Sequence, residues 1–286
     1  MVNKKPVTGM VAFIMVLLTM PLGHSAMILM ENWLGHAYVF EAAILLGIFG
    51  AVLVIVGYKI KNDSTATIFG LFGGLAIWTG WIEFAYVYYA TRYRIQPLME
   101  NGEIVTKPEY LLLPSSIGFI VMLILFYLFN KFTKCNFFVW WQKKLNINRS
   151  KSVKIDNRSS AVITAFEIIT ILWTFYLVLL FSYDSAFFGD KHFVTYFVAF
   201  GSLLWSVYLF LKLLKINKFD YAIRYAIPTA IIFWNFVEVL GRWGFFKEIW
   251  IHPLEYWLEI ALITVVLVVL VIITLIEGRK NEEMVK

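Results

Sequence analysis

Six side chains could do chemistry where a charged or titratable group is costly: His24, Glu83, Glu238, His252, Glu255 and Glu259. Each interrupts or borders a long apolar run, and such a group in lipid is expected to be paired, wetted or functional. His252, Glu255 and Glu259 stand at i, i+3 and i+7, the spacing of one helical stripe, and His24, Met27 and Glu31 repeat it. Glu41 adds a carboxylate at the start of the next apolar run. Imidazole and carboxylate on the inward faces of helices is how bundles hold metals, and copper, iron and zinc all accept such donors. The spacing therefore points to a transition metal held by His24, Glu83, Glu238, His252 and Glu255. Glu259 would be a proton carrier and Glu83 a second catalytic carboxylate.

Plainer roles compete with this one. Arg242 follows Glu238 by four residues, so an ion pair along one helix explains both. His252 and Glu255 fit a wet helix start, where carboxylates are favoured. A hydrogen bond within the bundle would account for His24. Glu167 stands apart from the rest, and Ser and Thr neighbours would satisfy it. His36 and His192 fall in loops and receive no role. The chain has no HExxH motif, no His-rich array and no Glu-x-x-His. Its single cysteine, Cys135, excludes a disulfide framework and a Cys-based zinc site.

The elements that must position these groups are membrane helices. The 286 residues are 60% hydrophobic and 15% charged, against about a quarter charged in a soluble chain. The apolar residues concentrate in runs such as "IALITVVLVVLVIITLI", close to the ~20 residues that cross a bilayer. Hydropathy predicts eight spans near 9–30, 38–58, 66–90, 110–132, 160–183, 192–214, 220–243 and 252–277. The first imitates a secretory signal, but His24 would occupy the −3 position of a cut after Ala26, so it reads as a retained helix. If the N-terminus is cytoplasmic, 19 of the 25 basic residues face inward, which selects N-in and C-in. The net charge of +6 is then a topology signal and not a nucleic-acid surface. A multi-pass protein of the plasma (inner) membrane is expected, with the lipid bilayer as its first partner.

The two halves look alike. "WIEFAYVYY" in the third span matches "FVEVLGRWG" in the seventh, aligning Glu83 with Glu238, and "KPEYLLL" answers "HPLEYWL". "YKIKND" answers "LKINKFD" in the same order. The expected architecture is an all-α polytopic bundle of two tandem parallel four-helix repeats, 1–132 and 160–286. A basic cytoplasmic linker, 133–159, joins them and offers a docking surface for other membrane subunits. At the repeat offset, His24 and Glu31 fall on Leu179 and Ala186, so any site is asymmetric.

The stretch "GWIEFAYVYY…RIQPL…YLLLPSSIGFIVMLILFYL", within residues 80–128, resembles the A-type membrane subunit of copper membrane monooxygenases. The resemblance covers an aromatic helix, a Pro-containing outer loop and a helix entry, and carries over no ligand. It implies metal-dependent oxidation of a small or lipophilic substrate. Proton- or cation-coupled transport and a non-catalytic subunit role are the alternatives.

Overall fold

The structure, a computed structural model, describes residues 5–100, 103–130, 136–147 and 159–283. Among the described residues, eight helices are long and apolar enough to cross a membrane: Val7–Gly35, Tyr38–Lys59, Asp63–Arg92, Pro108–Phe129, Ser160–Tyr183, Phe193–Leu213, Phe219–Arg242 and Trp257–Ile276. This is a multi-pass helical membrane protein, in which each span satisfies its own backbone because lipid offers no hydrogen bonds. Gly35, at φ 60°, separates the first two spans. Asn62 accepts from the Thr65 amide to start the third, and His192 accepts from Val194 to start the sixth.

Burial alternates along the chain. The apolar windows of the first, third, fifth and seventh spans are 44, 56, 56 and 67% buried, against 22, 11, 28 and 17% for the second, fourth, sixth and eighth. The odd spans thus form the core and the even spans face outward with side chains such as Phe49, Phe126, Leu204 and Val265. Packing follows the same order. The first span rests on the seventh as the fifth rests on the third, and the second packs on the third as the sixth packs on the seventh. The third and fifth spans approach closely because Gly70 and Gly74 lie directly on Ala161, Ala165 and Ile168, where a larger side chain would collide.

Two features depart from expectation. Residues 251–256 are turns, and the last span begins at Trp257, so His252, Glu255 and Glu259 do not share a helical stripe. Pro253 can open a helix but does not require one, and here the chain turns twice before helix forms. The linker is partly folded: Asn136–Lys144 is a helix whose Phe138 is buried in the main core. Gln142 donates to the carbonyls of Leu128 and Asn130 at 2.8 and 3.1 Å, satisfying the end of the fourth span. Cys135 and residues 148–158 of the linker lie outside the described residues.

Between the third and fourth spans a short hairpin, β1 (Leu98–Glu100) and β2 (Glu103–Thr106), pairs antiparallel. It sits at the end away from the termini, which the charge distribution assigns to the outer face and which we call the outer end.

Candidate functional site

At the outer end a cavity of about 890 Å³ opens among the first, fourth, fifth and seventh spans, with Leu98, Thr106 and the loop after the seventh span at its edge. Polar groups enter it from four helices. His24 comes from the first span, Tyr110 from the fourth, Tyr176 and Tyr183 from the fifth, and Glu238 and Arg242 from the seventh.

His24 and Glu238 meet, Nε2 to Oε1, at 3.2 Å. The contact is an ion pair when the imidazole is protonated and a hydrogen bond when it is neutral. Trp234 Nε1 donates to the same carboxylate oxygen at 2.8 Å. One helical turn separates Trp234 from Glu238, so the seventh span supplies both the carboxylate and one of its donors. The His24 ring lies nearly parallel to Tyr176, with centroids 6.3 Å apart. Tyr110 packs edge-on against Tyr176, with ring centroids 5.7 Å apart, and Trp78 packs behind it. These rings form an aromatic wall beside the ion pair.

Arg242 is held elsewhere than the helical spacing suggests. Its guanidinium forks onto Asp190, Nε to Oδ1 at 2.8 Å and an η-nitrogen to Oδ2 at 3.2 Å, and lies over the Tyr183 ring at 4.2 Å. Trp243 Nε1 fixes the Asp190 backbone carbonyl at 2.8 Å. A planar fork matched to a carboxylate is the stronger geometry, so the loop residue Asp190 is the bidentate partner expected of Glu238.

The remaining predicted residues disperse. Glu83 is buried in a π-helical turn, Trp78–Glu83, behind the cavity wall, where the charges of His24, Glu109, Lys107 and Glu31 reach it. Single π-turns inside helices recur at functional positions. His252 is exposed on the cavity rim. Glu255 pairs with Lys247 at 3.8 Å, both well exposed, and Glu259 is exposed on the last span. Of the five expected ligands, only His24 and Glu238 are seen in direct contact. Among the described residues no three His, Cys, Asp or Glu side chains converge as a metal site would require.

Sequence reasoning missed Glu248. Gly244, at φ 75°, turns the chain after the seventh span and folds Glu248 back so that its carboxylate lies against Gly241, where any side chain would displace it. Its Oε1 is buried on the cavity wall with no hydrogen-bond partner. Burial, aided by the nearby Glu238 charge, pushes the Glu248 carboxyl up to about 7. The two glycines bracketing "GRWG" were the available signal.

Fold and site together define a polytopic eight-helix membrane protein with a polar, aromatic-walled cavity at one end. No protein-family model matches the chain, and no curated protein or solved structure matches it significantly.

Proposed function

We propose that the outer cavity binds a small amphiphilic cation in exchange for a proton, as the outer site of a proton-coupled membrane transporter. The observation that carries this reading is Glu248, a carboxyl with an unpartnered oxygen on the cavity wall and a pKa near 7. Such a group holds a proton or faces a cation at ambient pH with little bias between them. The volume lies within the ~300–1,000 Å³ of small-molecule sites. Tyrosine faces attract organic cations beyond their apolar contact. Parallel repeats built around carboxylates suit coupled transport.

Tetraphenylphosphonium, an aromatic cation, is a suitable probe for purified protein. Competition with one proton at a pKa near 7 makes its affinity about tenfold weaker at about pH 6 than at about pH 8. Glu248→Gln removes that difference. A pH-independent affinity in the unmodified protein counts against exchange.

Metal-dependent oxidation is the second reading, favoured by the His24–Glu238 contact with the Glu83 charge close by. It needs one transition-metal ion per chain, retained through purification and lost in His24→Ala. Metal analysis separates the two readings.

A further inference from the structure

The seventh span carries Asp220, Arg224, Asn235 and Glu238 at i, i+4, i+15 and i+18, one face of a helix. The fifth carries Ser160, Thr164, Glu167, Thr170 and Thr174 along a second stripe, and these two helices pack together in the core. Three of these groups, and Thr67 on the third span, are buried without a protein partner for a polar atom: Thr170 Oγ1, Asn235 Nδ2, Arg224 Nε and Thr67 Oγ1. Thr67, Thr170 and Asn235 are at most 2% exposed. Buried polar atoms of this kind are the ones ordered water serves.

The groups are spread in depth. With a rise of about 1.5 Å per residue, Arg224 lies about 8 Å above the inner start of its helix, Asn235 about 24 Å and Glu238 about 28 Å. On the fifth span Glu167 lies about 10 Å in, Thr170 about 15 Å and Thr174 about 21 Å. At the inner end Ser160 donates to Asp63 at 2.6 Å, and Asp220 feels the charges of Arg224 and Asp63. The helices packed against the fifth span carry other acidic, basic or histidine residues: His24 and Glu31 on the first, Asp63, Glu83 and Arg92 on the third, Glu109 on the fourth, Lys212 on the sixth, and Asp220, Arg224, Glu238 and Arg242 on the seventh. The second span, whose Gly57 lies against Ala161, carries Glu41 and Lys59. Arg224 lies within about 3 Å of Glu167 in depth, and the others lie closer to one end or the other. Glu167 is the acidic group of the fifth span, in depth between the outer Glu238 and the inner Asp220.

We propose that a water-bridged proton route runs from Glu238 past Asn235, Thr174 and Thr170 to Glu167, and from there to Asp220 at the inner end. Glu238 takes a proton from the outer cavity and passes it along water and threonine hydroxyls to the Glu167 carboxylate. Protonated Glu167 gives it to Asp220, which releases it to inner water. One proton enters, one leaves, and every group returns to its starting charge. Asn235 and Thr170 are positioning residues that anchor water. The route rests on the exchange reading, since it carries inward the proton that the outer site takes up in place of the cation.

The test uses full-length protein in liposomes containing pyranine, with the potential clamped by potassium and valinomycin, after an external acid step. Unmodified protein should acidify the lumen faster than protein-free liposomes. Glu167→Gln should cut the protein-dependent rate by more than about tenfold, and Glu167→Asp should retain most of it. Asn235→Leu and Thr170→Val should lower the rate while leaving tetraphenylphosphonium affinity in place. A Glu167→Gln protein that binds the probe normally and conducts at the unmodified rate overturns the route, as does an unmodified protein no faster than empty liposomes. Both of those outcomes leave pH-dependent probe binding, and so the exchange reading, standing. Glu167-dependent flux with no pH-dependent probe binding would instead overturn exchange and support the route as a proton conductance.

Discussion

Glu83 and Glu238 align when the two halves of the sequence are matched, yet their surroundings differ. Glu83 is buried in a π-turn of the third span, behind the cavity wall. Glu238 sits in regular helix, lines the cavity, and receives both His24 and Trp234. The difference originates in the partner helix. The first span offers His24 to the seventh, whereas the residue of the fifth span aligned with it in sequence is Leu179, which packs with Ala199 and Val239. One carboxylate thus meets a titratable partner, and the other is withdrawn from the cavity.

The largest effect should come from making the halves alike. His24→Leu leaves the half-buried Glu238 carboxylate with Trp234 as its remaining donor, and losing a charge-assisted hydrogen bond of this kind costs about 1.5–3 kcal/mol. Thermal unfolding of purified protein should show a drop much larger than that of Glu83→Gln. His24→Leu combined with Glu238→Gln should recover part of the loss, and the cycle measures the coupling. Equal destabilisation by His24→Leu and Glu83→Gln would break the comparison.

Arg242→Lys should come next, at about 1–2 kcal/mol, because an ammonium cannot reproduce the fork onto Asp190. Neutralising Asp190 with Asn should match it. If Arg242 mainly served Glu238, Glu238→Gln would remove the Arg242→Lys effect and Asp190→Asn would not.

Gly241→Ala sharpens the comparison from the loop side. An added methyl meets the Glu248 carboxylate and drives it toward water. The pH midpoint of tetraphenylphosphonium binding should then fall from about 7 toward the ordinary 4.5. The sign on stability follows from the same shift. Folded protein binds the Glu248 proton more tightly than unfolded chain, so this group favours the fold below about 4.5 and loses that contribution as pH rises to about 7. In Gly241→Ala or Glu248→Gln the slope of melting temperature against pH across that window should flatten. Glu83→Gln should be the smallest effect on ligand binding, within about twofold, because its side chain does not line the cavity.

The spans were legible because each is a long apolar run, and the expected ends of all eight fall within five residues of those observed. His24 and Glu238 were legible for the complementary reason, as polar groups within apolar helices that must find partners. The start of the last span was misread because "HPLEYW" carries helix-opening residues and turns instead. Asp190 and Glu248 were not legible, since loops have no periodicity and their positions depend on Gly189, Gly241 and Gly244. The ion-pair expectation for Arg242 came from spacing along one helix, which says nothing about a carboxylate arriving from another loop.

Proton release on ligand binding tests cation exchange most directly. Calorimetric titration of the full-length protein with tetraphenylphosphonium, in buffers of different ionisation enthalpy near pH 7, counts the protons set free. Exchange at Glu248 predicts about half a proton released per bound cation at a pH equal to its pKa, rising toward one on the acid side and vanishing in Glu248→Gln. Binding with no proton release at any pH would contradict it.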